Sequence, residues 1–348
     1  MATTQRALLV TQIGGPLVLV ADRPVPKPGP NQVQLQVAVA GINPHDYKAR
    51  DTGLFIADSL PAILTNDVVG RVTELGEGVA AGLAIGDRVV AHAGMTPGWN
   101  QSGLQEYAVA DVGALAKIPD GITDDEAATL PTNIIAPVVG LFGSLGIPAP
   151  WSPDAAHFDY ATTALLIIGG GSNCGKFAVQ LAKLAGIGTV VVVGGDEAAL
   201  REMGATHVVD RHGGHDAVLG RIRDIVRDDL LYAFDAVNAP ADQILAIDAL
   251  SNRKRGIMAR LRPNAPVDEA RVAGKTAGFD VRNVFGVSQM HPELTRPFWD
   301  LLPGYLNEGR IKPLEYTVVE GLEANKVNAV LDRYRDGERV TKTHVHHL

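Results

Sequence analysis

The segment 164–175, ALLIIGGGSNCG, constrains this 348-residue chain more than any other. An apolar strand-like run enters Gly169-Gly170-Gly171-Ser172-Asn173-Cys174-Gly175, and a helical pattern opens at once. Phe177, Ala178, Leu181 and Leu184 share one face of that helix, and Gly186 ends it. Gly170, Ser172 and Gly175 make a Gly-x-Ser-x-x-Gly form of the dinucleotide fingerprint. Its glycines allow a tight turn, close backbone approach to a diphosphate and close packing of helix on strand. The helix N-terminus presents unpaired N–H groups and the positive end of its dipole to that anion. An ordinary strand–helix turn would share the glycines. The β-branched strand Thr189–Val193 that follows supplies the context a dinucleotide site needs.

The end of that second strand selects the cofactor. Enzymes using NAD place an acidic side chain there for the ribose hydroxyls. Here Gly194-Gly195 leave room for a phosphate, Asp196 stands just beyond, and Arg211 follows the third strand. A planar guanidinium suits a 2′-phosphate, so the expected cofactor is NADPH.

Strands and helices alternate from about residue 160 to 289, predicting an α/β fold with a doubly wound parallel sheet. The first third reads instead as short strands between Gly and Pro turns, with Val33, Leu35, Val37 and Val39 in period two, as in a barrel. Thr123 and Glu126 form a capping box that starts a helix. The stretch 127–153 has no charged residue, but Pro131, Pro137, Pro148, Pro150 and Pro153 interrupt it, so it reads as buried core rather than a membrane span. The net charge of −8 and the lack of a basic run argue against nucleic acid as a partner. The single cysteine, Cys174, excludes an internal disulfide and a four-thiolate zinc site, and fits a reducing, cytoplasmic setting. Its place at a helix N-terminus favours a lowered thiol pKa, although the fingerprint position calls for a small apolar residue. His344, His346 and His347 have no acidic or thiol ligand near them in sequence, so no metal site is expected.

Further motifs join the fingerprint: Pro28-Gly29-Pro30, Ala40-Gly41-Ile42-Asn43-Pro44, Gly86-Asp87-Arg88-Val89, Leu130-Pro131, Gly204-Ala205 and 309–313, GRIKP. Together they resemble the medium-chain dehydrogenase/reductases across nearly the whole chain. The resemblance implies a GroES-like β-barrel substrate domain from residues 1–125 and 290–348, and a Rossmann domain over 126–289. Zinc members carry a Cys near position 43 and a His-Glu pair near 66, whereas this chain has Asn43 and Asn66-Asp67. The chain therefore resembles the metal-free quinone and enoyl reductase branches. Asn43-Pro44-x-Asp46-x-Lys48 and 145–148, LGIP, are similar to the trans-acting enoyl reductases of fungal polyketide synthases. That implies an acyl substrate, small or carrier-bound, a polyketide synthase as partner, and a monomer or homodimer. In the quinone reductase branch a Tyr often stands beside the 2′-phosphate where this chain has Arg211.

Hydride delivery to the β-carbon of an enone or enoyl thioester creates an enolate, which needs a donor or cation and then a proton. Asn43 is a candidate to orient the carbonyl or the nicotinamide ribose. Lys48 is a candidate to donate the proton or to hold a carrier's phosphate, with a solvated helical lysine as the competing reading. Tyr47 is a weaker candidate because a Tyr at a domain edge often only packs. Asp46 either pairs with Lys48 or caps a helical turn. Quinone reduction and a low-turnover NADPH-binding scaffold are the alternative functions.

Overall fold

The protein is described by a computed structural model covering residues 3–79, 82–262, 265–272 and 274–347. The β-rich first third forms β1 (Thr4–Leu9), β2 (Val18–Pro24), β3 (Gln32–Ile42), β4 (Asp67–Leu75), β5 (Arg88–His92), β6 (Tyr107–Asp111) and β7 (Leu115–Lys117), with α1 (Pro44–Thr52) between β3 and β4. β1 and β2 pair with each other, while β3 is the long central strand, antiparallel to both β4 and β6. Within β3 Gln34 is buried, although Gln36 two residues on is exposed. The Gln34 amide donates to the Pro26 carbonyl at 2.7 Å and accepts from the Thr73 hydroxyl at 2.7 Å, which removes the cost of burying it.

The capping box closes as its spacing predicts: the Glu126 N–H donates to Thr123 Oγ1 at 3.1 Å and starts α2 (Asp124–Ala128). The uncharged stretch that follows contains α3 (Pro131–Val138) and a wide helical turn over 139–144. It is core. Ile134, Ile135 and Leu141 are fully buried in one cluster with Val39, Val69 and Val90 of the barrel and Leu165, Ile167 and Phe177 of the following region. Burial of such side chains stabilises by about 2 kcal/mol each, so this stretch joins the two sheets. No helix among the described residues is long and apolar enough to cross a membrane.

The second sheet is all parallel. It contains β8 (Ala164–Ile168), β9 (Thr189–Val193), β10 (His207–Val209), β11 (Tyr232–Asp235), β12 (Gly256–Arg260) and β13 (Phe279–Asn283), in the order β10-β9-β8-β11-β12-β13. The crossovers carry α4 (Asn173–Ala185), α5 (Glu197–Met203), α6 (His215–Val226) and α7 (Ile244–Ala249). The chain winds outward from β8 to β10, then returns to β11 on the other side of β8. The switch point between β8 and β11 is where such sheets open a ligand crevice at their carboxyl ends. After α8 (Pro292–Asn307) the tail forms β14 (Tyr316–Glu320), α9 (Ala324–Arg335) and β15 (Lys342–His346), and rejoins the first sheet as β14-β15-β3. The register of β15 on β3, Thr343 opposite Ile42, places Lys342 beside Asn43.

Candidate active site

The fingerprint turn is built around its own hydroxyl. Ser172 Oγ donates to the Gly169 carbonyl at 2.8 Å and accepts the Gly175 N–H at 3.0 Å, capping α4. A Cβ on Gly175 would lie 2.2 Å from the Gly169 carbonyl oxygen, so only glycine lets α4 sit this close to β8. Gly170, Gly171 and Asn173 complete the turn at the start of α4. Gly194 and Gly195, at φ +75° and +102°, fold back toward the turn after β9. A Cβ on Gly194 would lie 3.4 Å from Arg211 Cδ, so Arg211 crosses this corner, with Asp196 exposed beside it. Asp196 is partly committed, because its Oδ1 accepts the Ala199 N–H at 2.9 Å and caps α5.

Cys174 departs from the helix-terminus argument. Burial pushes its thiol up to about 12, overriding the opposing pull of Lys342. It fills the fingerprint as an apolar residue and is not a poised thiolate. The charges of Lys342 and Asp67 act on it, so the start of α4 adjoins a second, polar constellation.

That constellation gathers the first residues of several elements. Asn43 caps α1, and its backbone N–H donates to Asp46 Oδ2 at 2.7 Å. Asp46 Oδ1 accepts the Thr65 N–H at 3.0 Å, so Asp46 ties α1 to the approach to β4 and does not pair with Lys48. Asn43 is 2% exposed and its amide is occupied. Nδ2 donates to Asp67 Oδ2 at 2.8 Å, while Oδ1 accepts from Lys342 Nζ at 2.9 Å and from Asn133 Nδ2 at 3.2 Å. The Lys342 ammonium also pairs directly with Asp67 Oδ2, and Asp67 Oδ1 accepts the Thr132 N–H at 2.7 Å. Burial alone would raise the Asp67 pKa, but the adjoining Lys342 ammonium and the hydrogen bonds hold it down at about 2. Gly41 makes the space: a Cβ there would come within 2.9 Å of both Asp67 and Lys342.

Nearer the surface, His45 Nε2 lies 2.9 Å from Asn66 Oδ1, and Asn66 Nδ2 donates to the Ala93 carbonyl at 2.8 Å. These two residues, with Phe55, Met95, Trp99 and Ser102, line a recess between α1 and the loop after β5. Behind it His92 is buried with Nδ1 3.0 Å from Ser288 Oγ, and burial depresses its imidazole to about 4, so it is neutral. Lys48 lies within α1, not on a loop, and is half-buried. Tyr47 packs on the barrel cluster, as Ile13 and Tyr334 do. Two features were out of reach of the sequence. Lys342 stands 299 residues from Asn43, and its only local signal is the alternating strand it begins. Asp125, remote in sequence, accepts from His344 Nδ1 at 2.9 Å and His346 Nε2 at 3.0 Å. Even so, no group of three or more His, Cys, Asp or Glu among the described residues is arranged to hold a metal ion.

Comparisons with known proteins agree with this layout. Residues 29–120 match the alcohol dehydrogenase GroES-like domain, and residues 174–296 match the zinc-binding dehydrogenase family. The trans-enoyl reductase resD of Aspergillus sclerotiorum is 31% identical over 336 residues, covering 90% of this chain and 92% of the relative. Among solved structures, CurK enoyl reductase superposes with a TM-score of 0.78 at 18% identity, covering 99% of both chains. A mycobacterial protein solved in complex with NADPH does so with a TM-score of 0.74 at 21% identity, covering 98% and 99%. Below 25% identity these two likenesses speak for the fold. With the near full-length relative, they establish that the chain belongs to the medium-chain dehydrogenase/reductase superfamily and is an oxidoreductase of that type.

Proposed function

We propose that this protein is a zinc-independent, NADPH-dependent reductase of activated carbon–carbon double bonds, acting on an enone or enoyl thioester. Residues 126–289 hold the cofactor, and 1–125 with 290–348 present the acceptor. The observation that carries the metal-free reading is the Lys342–Asp67–Asn43 cluster. Asn43, Asn66 and Asn133 offer neutral amides where zinc needs thiolate or imidazole, and an ammonium already takes the lone pairs of Asn43 and Asp67. A divalent cation there would face that ammonium at hydrogen-bond range. The donor set does not fit zinc.

NADPH supplies the hydride when bound. The fingerprint residues Gly169–Gly175 cradle its diphosphate, and Gly194 and Gly195 open the corner in which Arg211 meets the 2′-phosphate. The partial commitment of Asp196 to the α5 cap favours NADPH over NADH. The trans-enoyl reductase among its relatives and the NADPH complex among its structural neighbours support the same reading. Asn43 acts as a positioning residue, since its amide is sealed beneath the surface and holds α1 against β15. Lys48 keeps a cation in the cleft that favours the negative charge developing on the acceptor. The α-carbon takes its proton from water. Quinones are the competing acceptors.

A panel of 2-enoyl thioesters, simple enones and quinones, assayed with NADPH and NADH at the nicotinamide absorbance, tests this. The expected result is NADPH-dependent turnover of the unsaturated carbonyl compounds, unchanged by a strong zinc chelator. Turnover of quinones alone would reassign the acceptor. Tight NADPH binding without turnover of any acceptor would make the protein a scaffold. Loss of activity with the chelator, restored by zinc, would overturn the metal-free reading.

A further inference from the structure

The recess between α1 and the loop after β5 has a volume of about 20 Å³, room for one oxygen-sized group. Leu54, Phe55, Met95 and Trp99 make much of its wall apolar, and His45 and Asn66 bring polar atoms to it. It opens where the barrel meets the carboxyl edge of the parallel sheet. Phe55 on its wall meets Phe285, two residues beyond β13, with ring centroids 6.5 Å apart. Ser288 of the same segment reaches His92, behind the recess, at 3.0 Å. That edge is where a parallel sheet of this kind holds its ligands.

The hydrogen bonds fix which nitrogen of His45 carries a proton. The Ala93 carbonyl can only accept, so the Asn66 atom 2.8 Å from it is the amide Nδ2. Asn66 Oδ1 therefore faces His45, and His45 Nε2, 2.9 Å away, must be the donor. Nδ1 has no hydrogen-bond partner among the described residues, and the side chain is 28% exposed. In the neutral ring this nitrogen would accept; in the imidazolium it donates. Asp46 Oδ1 lies 3.7 Å from Nε2. The first turn of α1 opposes a positive ring, but a buried carboxylate at this range outweighs the fractional charge of a helix terminus. The other ionisable groups around the recess are committed elsewhere. Asp67 pairs with Lys342, His92 is kept neutral by burial, and Lys48, one turn along α1, lies outside the recess wall.

Resting on the reading above that the acceptor is an unsaturated carbonyl compound, we infer that His45 is a catalytic residue: as an imidazolium it donates a hydrogen bond from Nδ1 to the acceptor's carbonyl oxygen, seated in this recess. As hydride reaches the β-carbon, the electrons of the double bond move through the carbonyl group and negative charge gathers on that oxygen. A fixed donor carrying a positive charge is worth most at that moment, and the apolar walls strengthen it. The proton stays on His45. Water protonates the α-carbon, so one hydride and one proton add in all.

The test uses an enone or 2-enoyl thioester that the native enzyme turns over with NADPH. For the native enzyme, kcat/KM should fall as pH rises through the range in which histidines lose their charge. His45→Ala should lower kcat about a hundredfold, the scale of one lost oxyanion donor, and leave the NADPH Kd unchanged. His45→Gln, which keeps a donor that does not titrate, should recover part of that rate and lose the fall with pH. The inference is overturned if the native profile is flat across that range, a measurement that needs no variant. It is also overturned if His45→Ala keeps kcat within about threefold of native, or if His45→Gln retains the native pH profile. A rise in the NADPH Kd equal to the loss of rate would make His45 a structural residue of the cofactor site and refute the assignment. Failure of the native protein to reduce any unsaturated carbonyl compound would remove the proposed function and this inference with it, whereas turnover with a flat profile removes the role of His45 alone.

Discussion

Replacing Lys342 with Met probes the cluster on which the metal-free reading depends. In the native protein the Lys342 and Asp67 side chains are 1% and 0% exposed, so neither charge is hydrated and each depends on the other. Methionine keeps most of the lysine's volume and removes the charge. Asp67 would retain donors from Thr132 and Asn43 but no counter-charge. Removing one partner of a buried pair costs about 3–5 kcal/mol, because the remaining ion is left in a low-dielectric site. The carboxyl, held at about 2 in the native protein, would then titrate above its ordinary value, since burial becomes the dominant influence. Protonation caps the loss, so the deficit should be largest near neutrality and shrink as pH falls through the acid range. The double variant Lys342→Met with Asp67→Asn removes both charges and should regain at least half the loss. Urea unfolding of the four proteins in a double-mutant cycle, at pH 7.5 and pH 5, measures this. A single-variant cost below about 1 kcal/mol, or a double variant no better than Lys342→Met, would refute the argument that these charges compensate each other.

Three further outcomes follow from the geometry. Gly175→Ala should abolish measurable NADPH binding by fluorescence titration and lower Tm, because its methyl would meet the Gly169 carbonyl at 2.2 Å; retained affinity would show that α4 can move away from β8. Arg211→Ala should raise the NADPH Kd about tenfold, the scale of a charge-assisted hydrogen bond, while changing the NADH Kd little; equal effects would remove Arg211 from the phosphate pocket. Acid should destabilise the fold in two stages. His92 and His347, depressed by burial to about 4, stay neutral when folded, so their contribution is complete above about 6.5 and is lost as pH falls toward 4, by up to about 3 kcal/mol each. Asp67, held at about 2, adds a loss of about 2 kcal/mol between roughly pH 4 and pH 2. A urea midpoint unchanged between pH 7.5 and pH 5 would contradict the first stage.

The geometry of the glycine turn was legible because its determinants are local. A strand, a run of glycines and a helix adjacent in sequence are adjacent in space, and Ser172 and Gly175 make their decisive contacts within a few residues. The same holds for the Thr123–Glu126 cap and for α4 ending at Gly186. Lack of charge over 127–153 marked core, because no charge can be buried unpaired at low cost, yet it did not say what that core would join. The tertiary structure alone decided the chemistry of the cleft. It placed Lys342 against Asn43 and Asp67, enclosed the Cys174 thiol so that desolvation outweighed the helix terminus, and sealed the amide of Asn43, the candidate for orienting the carbonyl or the nicotinamide ribose, beneath the surface. Backbone turns are governed by near neighbours. The ionisation and reach of a side chain depend on which distant charges and apolar walls surround it, and those are assembled only when β15 closes on β3 and the two sheets meet.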